Sequence, residues 1–158
     1  MTSLYIFDLD GTLANLKHRR HFVERDECAK LKRKPDWDAF YAACVHDTPI
    51  KPVINTYFAL AMSNPPDSPD VWIWSGRSDS VRAQTEAWLR AHVPWYTVIK
   101  MRKAKDYTPD DQLKERWLHA MSPEDRARLV MVFDDRTRVV EMWRRNGVVC
   151  AQVAPGDF

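Results

Sequence analysis

Five short apolar runs recur along the chain with helix-like stretches between them: Leu4–Phe7, Val71–Trp74, Val98–Met101, Leu129–Phe133 and Val148–Val153. Such runs, bounded by turn residues, read as buried strands. Helical spacing covers Ser80–Ala91, Pro109–Met121 and Thr137–Asn146, the last with Thr137 as N-cap and Gly147 just past its end. Alternation of strand and helix predicts an α/β fold: a doubly wound, mostly parallel five-stranded sheet with helices on both faces. In such sheets ligands bind beyond the carboxyl ends of the strands.

The 158 residues suit one domain, here residues 1–158. Hydrophobic residues at 45% and seven tryptophans indicate a packed globular protein, and a formal charge of +2 excludes a polyelectrolyte. Cys28, Cys44 and Cys150 are widely spaced and form no C-x-x-C, which argues for buried thiols in a reducing compartment rather than zinc or disulfides. The chain shows no signal segment and no apolar run near the roughly 18 residues of a membrane span. A soluble, cytoplasmic protein without a membrane partner is the expectation.

The interval between the first two strands exceeds what one crossover needs. Pro49 to Ser63 can supply the crossover helix, which leaves residues 15–47 as an insertion. Trp37, Phe40, Tyr41 and Cys44 recur at helical spacing within it, so a small helical cap over the site is expected. Asn64 to Asp70, "NPPDSPD", reads as a surface connector.

The strand ends carry the chemistry. Asp8 and Asp10 follow the first strand, with Gly11 and Thr12 turning the chain away. Ser75, Gly76 and Arg77 follow the second, and Asp134, Asp135 and Arg136 the fourth. The helix opening "PDDQLKERWL" adds Asp110, Asp111 and Lys114. Clustered carboxylates repel, and a divalent cation relieves that repulsion; hard oxygen donors point to Mg²⁺. With a phosphate ester as substrate, one carboxylate can attack phosphorus and a second can shuttle the proton. Crowding by other acids would favour the protonated form of that second group.

In their order, "DLDGTL", "WSGR", Lys114 of "DDQLK" and "VFDDR" resemble the four motifs of the haloacid dehalogenase-like phosphohydrolases, across essentially the whole chain. The resemblance implies a Rossmann-like fold with Asp8 as nucleophile and Asp10 as general acid/base. It further implies that Thr12, Ser75, Gly76 and Lys114 bind phosphate. Mg²⁺ would be held by Asp8, the Asp10 backbone carbonyl, Asp134 and Asp135. "DDRTRVVEMWRRNGVVCAQVAPGDF" is similar to the end of the phosphatase domain of phage polynucleotide kinase 3′-phosphatases, which adds Arg77, Asp110 and Arg19 as site residues. No G-x-x-x-x-G-K-S/T occurs, so no P-loop kinase is expected in this chain.

The implied activity is a Mg²⁺-dependent phosphomonoesterase acting through an aspartyl-phosphate on the 3′-phosphate of nucleic-acid ends or nucleotides. The setting would be DNA or RNA end repair in the cytoplasm, of the host cell if the chain is phage-encoded. One alternative is a 5′-(deoxy)nucleoside monophosphate phosphatase. A receiver-like phosphoacceptor is disfavoured, because here the D-x-D comes first and the acidic pair last. Basic clusters at Leu16–His21, Lys30–Lys34 and Lys100–Lys105 read either as a solvated face or as a polyanion-attracting one. His18 and His21 can approach the site. Trp37, Phe40 and Tyr41 read as cap core or as a base-stacking platform.

Overall fold

Residues 2–63 and 67–156 are described by the structure, a computed structural model. Five strands form one parallel sheet: β1 (Leu4–Phe7), β4 (Asp70–Ser78), β5 (Val98–Arg102), β6 (Leu129–Asp134) and β7 (Cys150–Gln152). Their order is β5-β4-β1-β6-β7. Chain order therefore reverses at β1, and the crevice beside it is where such sheets take ligands.

Side-chain alternation sends the strand residues to two separate cores. Phe7, Val71 and Ile73 face α3 (Lys51–Ala61) and α4 (Arg82–His92), which contribute Ile54, Tyr57, Trp88 and Leu89. Leu4, Ile6, Trp72 and Trp74 face α5 (Asp110–His119) and α7 (Thr137–Arg145), through Leu118, Val140 and Trp143. Helices thus cover both faces, as the alternation predicted. The α3 helix begins cleanly because Pro52 lies in its first turn, where no backbone donor is lost. All three cysteines are free and buried.

Several boundaries differ from expectation. Strand β4 continues past Trp74 to Ser78, because Ser75 and Ser78 still pair with β5 across an irregular register. Arg136, rather than Thr137, is the N-cap residue of α7, and Thr137 is already helical. Gly147 follows α7 with φ +74, the left-handed conformation that glycine adopts without strain. The connector expected at Asn64–Asp70 lies partly outside the described residues, and Asp70 already belongs to β4.

Residues 15–47 are helical in short pieces: 3₁₀ turns at Lys17–Phe22 and Ala43–His46, α1 (Arg25–Lys30) and α2 (Trp37–Ala42). A two-residue ribbon joins their ends, β2 (Ala14–Asn15) pairing antiparallel with β3 (Thr48–Pro49). A further helix, α6 (Pro123–Arg128), is capped by Ser122, whose Oγ accepts from Asp125 N at 3.1 Å. Among the described residues no helix is long and apolar enough to cross a membrane.

Candidate active site

The first strand stops at Phe7, and a tight turn follows. Leu13 and Ala14 both donate their N–H to Leu9 O, at 2.9 and 2.8 Å. Gly11 has φ +89, and a Cβ there would fall 2.2 Å from Asp135 Oδ2. Only glycine fits: the turn is wrapped against the acidic end of β6. Leu9 points into the core, and the aspartates on either side of it part company.

Asp8 enters an acidic cluster. Asp8, Asp134 and Asp135 are buried, and each offers a carboxylate oxygen within 4.8 Å of the others. Lys114, one turn into α5, donates to Asp8 Oδ1 and Asp134 Oδ2, both at 2.7 Å. Burial opposes the lysine's charge, but Asp134 and Asp8 outweigh it and raise its proton affinity. Burial raises the Asp8 carboxyl, and Asp134 and Asp135 add to that, against the pull of Lys114. Burial and the charge of Asp134 push Asp135 up to about 6. Three carboxylates facing one ammonium form a donor set of hard oxygens with unbalanced negative charge, which fits a divalent cation such as Mg²⁺.

The far end of the chain holds this acidic turn in place. Gln152 Nε2 donates to Asp135 O at 2.9 Å, and Gly156 packs so closely that a Cβ would lie 2.2 Å from the same oxygen.

Asp10 enters a different field. Arg77 reaches it through Nε and Nη2 at 2.9 and 2.6 Å, and Arg19 through Nη2 at 2.7 Å. Both arginines also hold Asp47, Arg19 through Nε and Nη2 at 2.7 and 2.8 Å and Arg77 through Nη2. Burial alone would raise the Asp10 carboxyl, but Arg77 and Arg19 outweigh it and hold it below the ordinary value. The crowding expected to protonate Asp10 falls on Asp8 and Asp135 instead. The strand ends before Asp10, so regular alternation no longer carries it to the acidic side.

The remaining predicted residues divide in the same way. Ser75 is fully buried, its Oγ accepting from Arg77 N at 3.2 Å. Thr12 Oγ1 is buried and finds no hydrogen-bond partner among the described residues. Gly76 lies against Asp110, where a Cβ would meet Oδ1 at 2.6 Å. Asp110 accepts from Arg102 Nη2, and from Arg136 Nη1 at 2.5 Å. Arg19 and Arg77 direct their donors at Asp10, Asp47, Phe40 O and Thr85 rather than at solvent. His18 Nε2 lies 2.9 Å from Asp47 Oδ1, whereas exposed His21 packs on Phe22.

Known proteins resemble this chain in sequence and fold. A family model described as "Polynucleotide kinase PNKP phosphatase domain" matches residues 2–158. The chain belongs to that family. It is thereby a haloacid dehalogenase-type phosphatase domain. A chain of the "Pnkp1/Rnl/Hen1 complex" is similar over 100% of this chain, with 29% identity and a TM-score of 0.75. This chain spans 48% of that one. Two more distant structures share the fold. A haloacid dehalogenase-like hydrolase from Streptococcus pneumoniae has 14% identity and a TM-score of 0.62, over 96% of this chain and 84% of its own. L-2-haloacid dehalogenase from Xanthobacter autotrophicus has 15% identity and a TM-score of 0.57, over 97% and 78%.

Three residues of this phosphatase-domain site escaped the sequence reading. Asp47 precedes β3 in a stretch with no motif, and only its neighbourhood to the insertion's end marks it. Arg102 was hidden in a run read as a basic cluster. Arg136 and Asp110 were both visible in the sequence, but the pairing that brings Arg136 into the site was not.

Proposed function

We propose that the chain is a Mg²⁺-dependent phosphomonoesterase that removes 3′-phosphates from nucleic-acid ends or nucleotides through an aspartyl-phosphate on Asp8. The observation that carries this reading is the buried set Asp8, Lys114, Asp134 and Asp135 at the carboxyl edge of the sheet, in a chain of this phosphatase family. The 3′-end specificity draws on the family and on the relative found in an assembly described as an "RNA repair complex".

Asp8, Asp134, Asp135 and the Asp10 backbone carbonyl would hold Mg²⁺, which supplies charge neutralisation for the transferring phosphoryl group. Lys114 orients Asp8 and opposes its protonation. An Asp8 oxygen bonds to phosphorus as the ester P–O bond breaks, and the leaving oxygen takes a proton from Asp10. In the second half a water oxygen attacks phosphorus and its proton returns to Asp10. The aspartyl P–O bond then breaks, which restores the Asp8 carboxylate and releases inorganic phosphate. Thr12, Ser75 and the Gly76 backbone receive the phosphoryl oxygens, and the unpartnered Thr12 hydroxyl gains its missing partner there.

Asp10 must be protonated before the first half. Arg19 and Arg77 oppose that in the free protein; a dianionic phosphate entering beside them offsets their field and raises the proton affinity of Asp10. The insertion acts as a cap, with Arg19 and Asp47 tying it to Asp10. Asp110 binds no phosphate directly; it positions Gly76 and the Arg102 and Arg136 guanidiniums.

The test is a phosphate-release comparison of a 3′-phosphorylated oligonucleotide with 3′- and 5′-mononucleotides, with and without EDTA. The reading predicts preference for the 3′-phosphorylated substrates and full loss in EDTA, reversed by Mg²⁺. Equal or faster release from 5′-mononucleotides would replace it with the nucleotidase alternative.

A further inference from the structure

Trp72, Trp74, Trp88 and Trp143 are buried, and so is Phe40, the central aromatic of α2. Its neighbour Trp37 is instead 49% exposed, and Tyr107, in the loop between β5 and α5, is 86% exposed. The two line one cleft of about 390 Å³ with Lys34, Pro35, Asp36 and Asp38. Its walls therefore come from the insertion on one side and from the loop leading to Asp110 on the other.

Another aromatic of α2 packs beside Trp37. Tyr41 lies one helical turn from Trp37, with ring centroids 6.0 Å apart and planes inclined by 35°. Tyr41 is half-buried. Burial raises its hydroxyl, the charges of Arg102 and Arg19 oppose that rise, and those of Asp110 and Asp10 add to it. Tyr41 thus stands between the reactive carboxylates and the outer aromatic pair. The outer wall is held rigidly: Arg102 Nη1 donates to Asp106 O and Thr108 O, at 3.0 and 2.5 Å, on either side of Tyr107.

The charges in the cleft select its occupant. Two carboxylates and one ammonium repel a phosphate but accept the donor edges of a base; Asp36 is already engaged as the N-cap of α2. Aromatic faces stack on any base, so such a surface binds unpaired nucleotides with little regard to sequence. We propose that Tyr41, Trp37 and Tyr107 form a stacking track for the unpaired bases of a single-stranded nucleic acid whose 3′-phosphate sits at Asp8. This rests on the reading of the site as a 3′-phosphatase and names its substrate as an unpaired end longer than one nucleotide.

The measurement is the length advantage: kcat/KM on a 3′-phosphorylated trinucleotide divided by kcat/KM on a nucleoside 3′-phosphate. The wild-type ratio is expected to exceed one, and to fall roughly tenfold in Trp37→Ala and in Tyr107→Leu, as loss of one stacked base implies. Trp37→Phe should restore most of it, and a trinucleotide abasic at its middle position should mimic the loss with wild-type protein. Trp95→Ala removes another exposed aromatic, at the opposite, amino end of β5, and should leave the ratio unchanged. If the wild type hydrolyses the trinucleotide yet the ratio is the same in Trp37→Ala and Tyr107→Leu, or with the abasic substrate, the track is overturned. If the wild type favours 5′-mononucleotides, the functional reading itself has failed.

Discussion

Asp8 and Asp10 are separated by one residue and occupy opposite electrostatic worlds. Around Asp8, three carboxylates face a single lysine, which leaves two formal negative charges in a buried space. Around Asp10, two carboxylates face two arginines, all within hydrogen-bond distance, and the charges cancel. The acidic half carries unbalanced charge as a protein structure and fits a divalent cation. The arginine half is complete by itself and joins the insertion to the sheet. The difference teaches that a D-x-D at a strand end need not be a pair: the turn at Gly11 sends one carboxylate into an acidic cluster and the other between two arginines.

The largest expected effect breaks the acidic half. Asp8→Asn should lower phosphate release by at least about a thousandfold, since it removes the attacking oxygen, while circular dichroism and melting report an intact fold. Next comes the arginine half. Asp47→Ala leaves Arg19 and Arg77 buried with one carboxylate between them, and removing one partner of a buried ion network costs roughly 3–5 kcal/mol. Denaturant unfolding should show that loss with or without Mg²⁺, because Asp47 itself lies outside the buried acidic set of Asp8, Asp134 and Asp135.

A smaller effect separates the halves by titrating metal. Saturating Mg²⁺ should raise the melting temperature, with about 2.7 kcal/mol gained at a hundredfold excess over Kd. Asp134→Asn should abolish that gain, and a gain that persists in this variant would place the ion elsewhere.

The smallest effect is in pH. Asp135, pushed up to about 6, binds a proton more tightly folded than unfolded. Without metal its contribution to stability therefore grows as pH falls through about 6 and vanishes at higher pH. Asp10, held low by its arginines, contributes above the unfolded carboxylate value of about 3.9 and loses that contribution below it. Melting of metal-free protein should thus improve from pH 7 to pH 5 before collapsing in stronger acid, and Asp135→Asn should reduce that improvement without removing it, because the Asp8 carboxyl is raised as well.

The strand-end acids were legible in the sequence because each motif is local: an apolar strand, then its functional residue, within one short stretch. The parallel sheet followed from helix and strand periodicity, which also brought Lys114 to the acidic edge; its contacts with Asp8 and Asp134 are seen only in the structure. In the arginine half, Arg19 and Arg77 came only through the family resemblance, and neither Asp47 nor the pairing among them was legible. Arg19, Asp47 and Arg77 lie 28 and 30 residues apart, and Arg77 lies 67 from Asp10, so no spacing rule joins them. The β2–β3 ribbon was missed for a related reason, since two-residue strands carry no periodicity. The expected protonation of Asp10 failed because its field comes from those distant arginines rather than from its sequence neighbours.

The central claim is that Asp8 attacks phosphorus. Acid quench of the wild-type protein during turnover of an oligonucleotide carrying a labelled 3′-phosphate, followed by peptide mapping, tests it most directly. The account predicts label on the peptide containing Asp8, absent without Mg²⁺ and absent in Asp8→Asn. Turnover with no protein-bound label, or label on another residue, would contradict it.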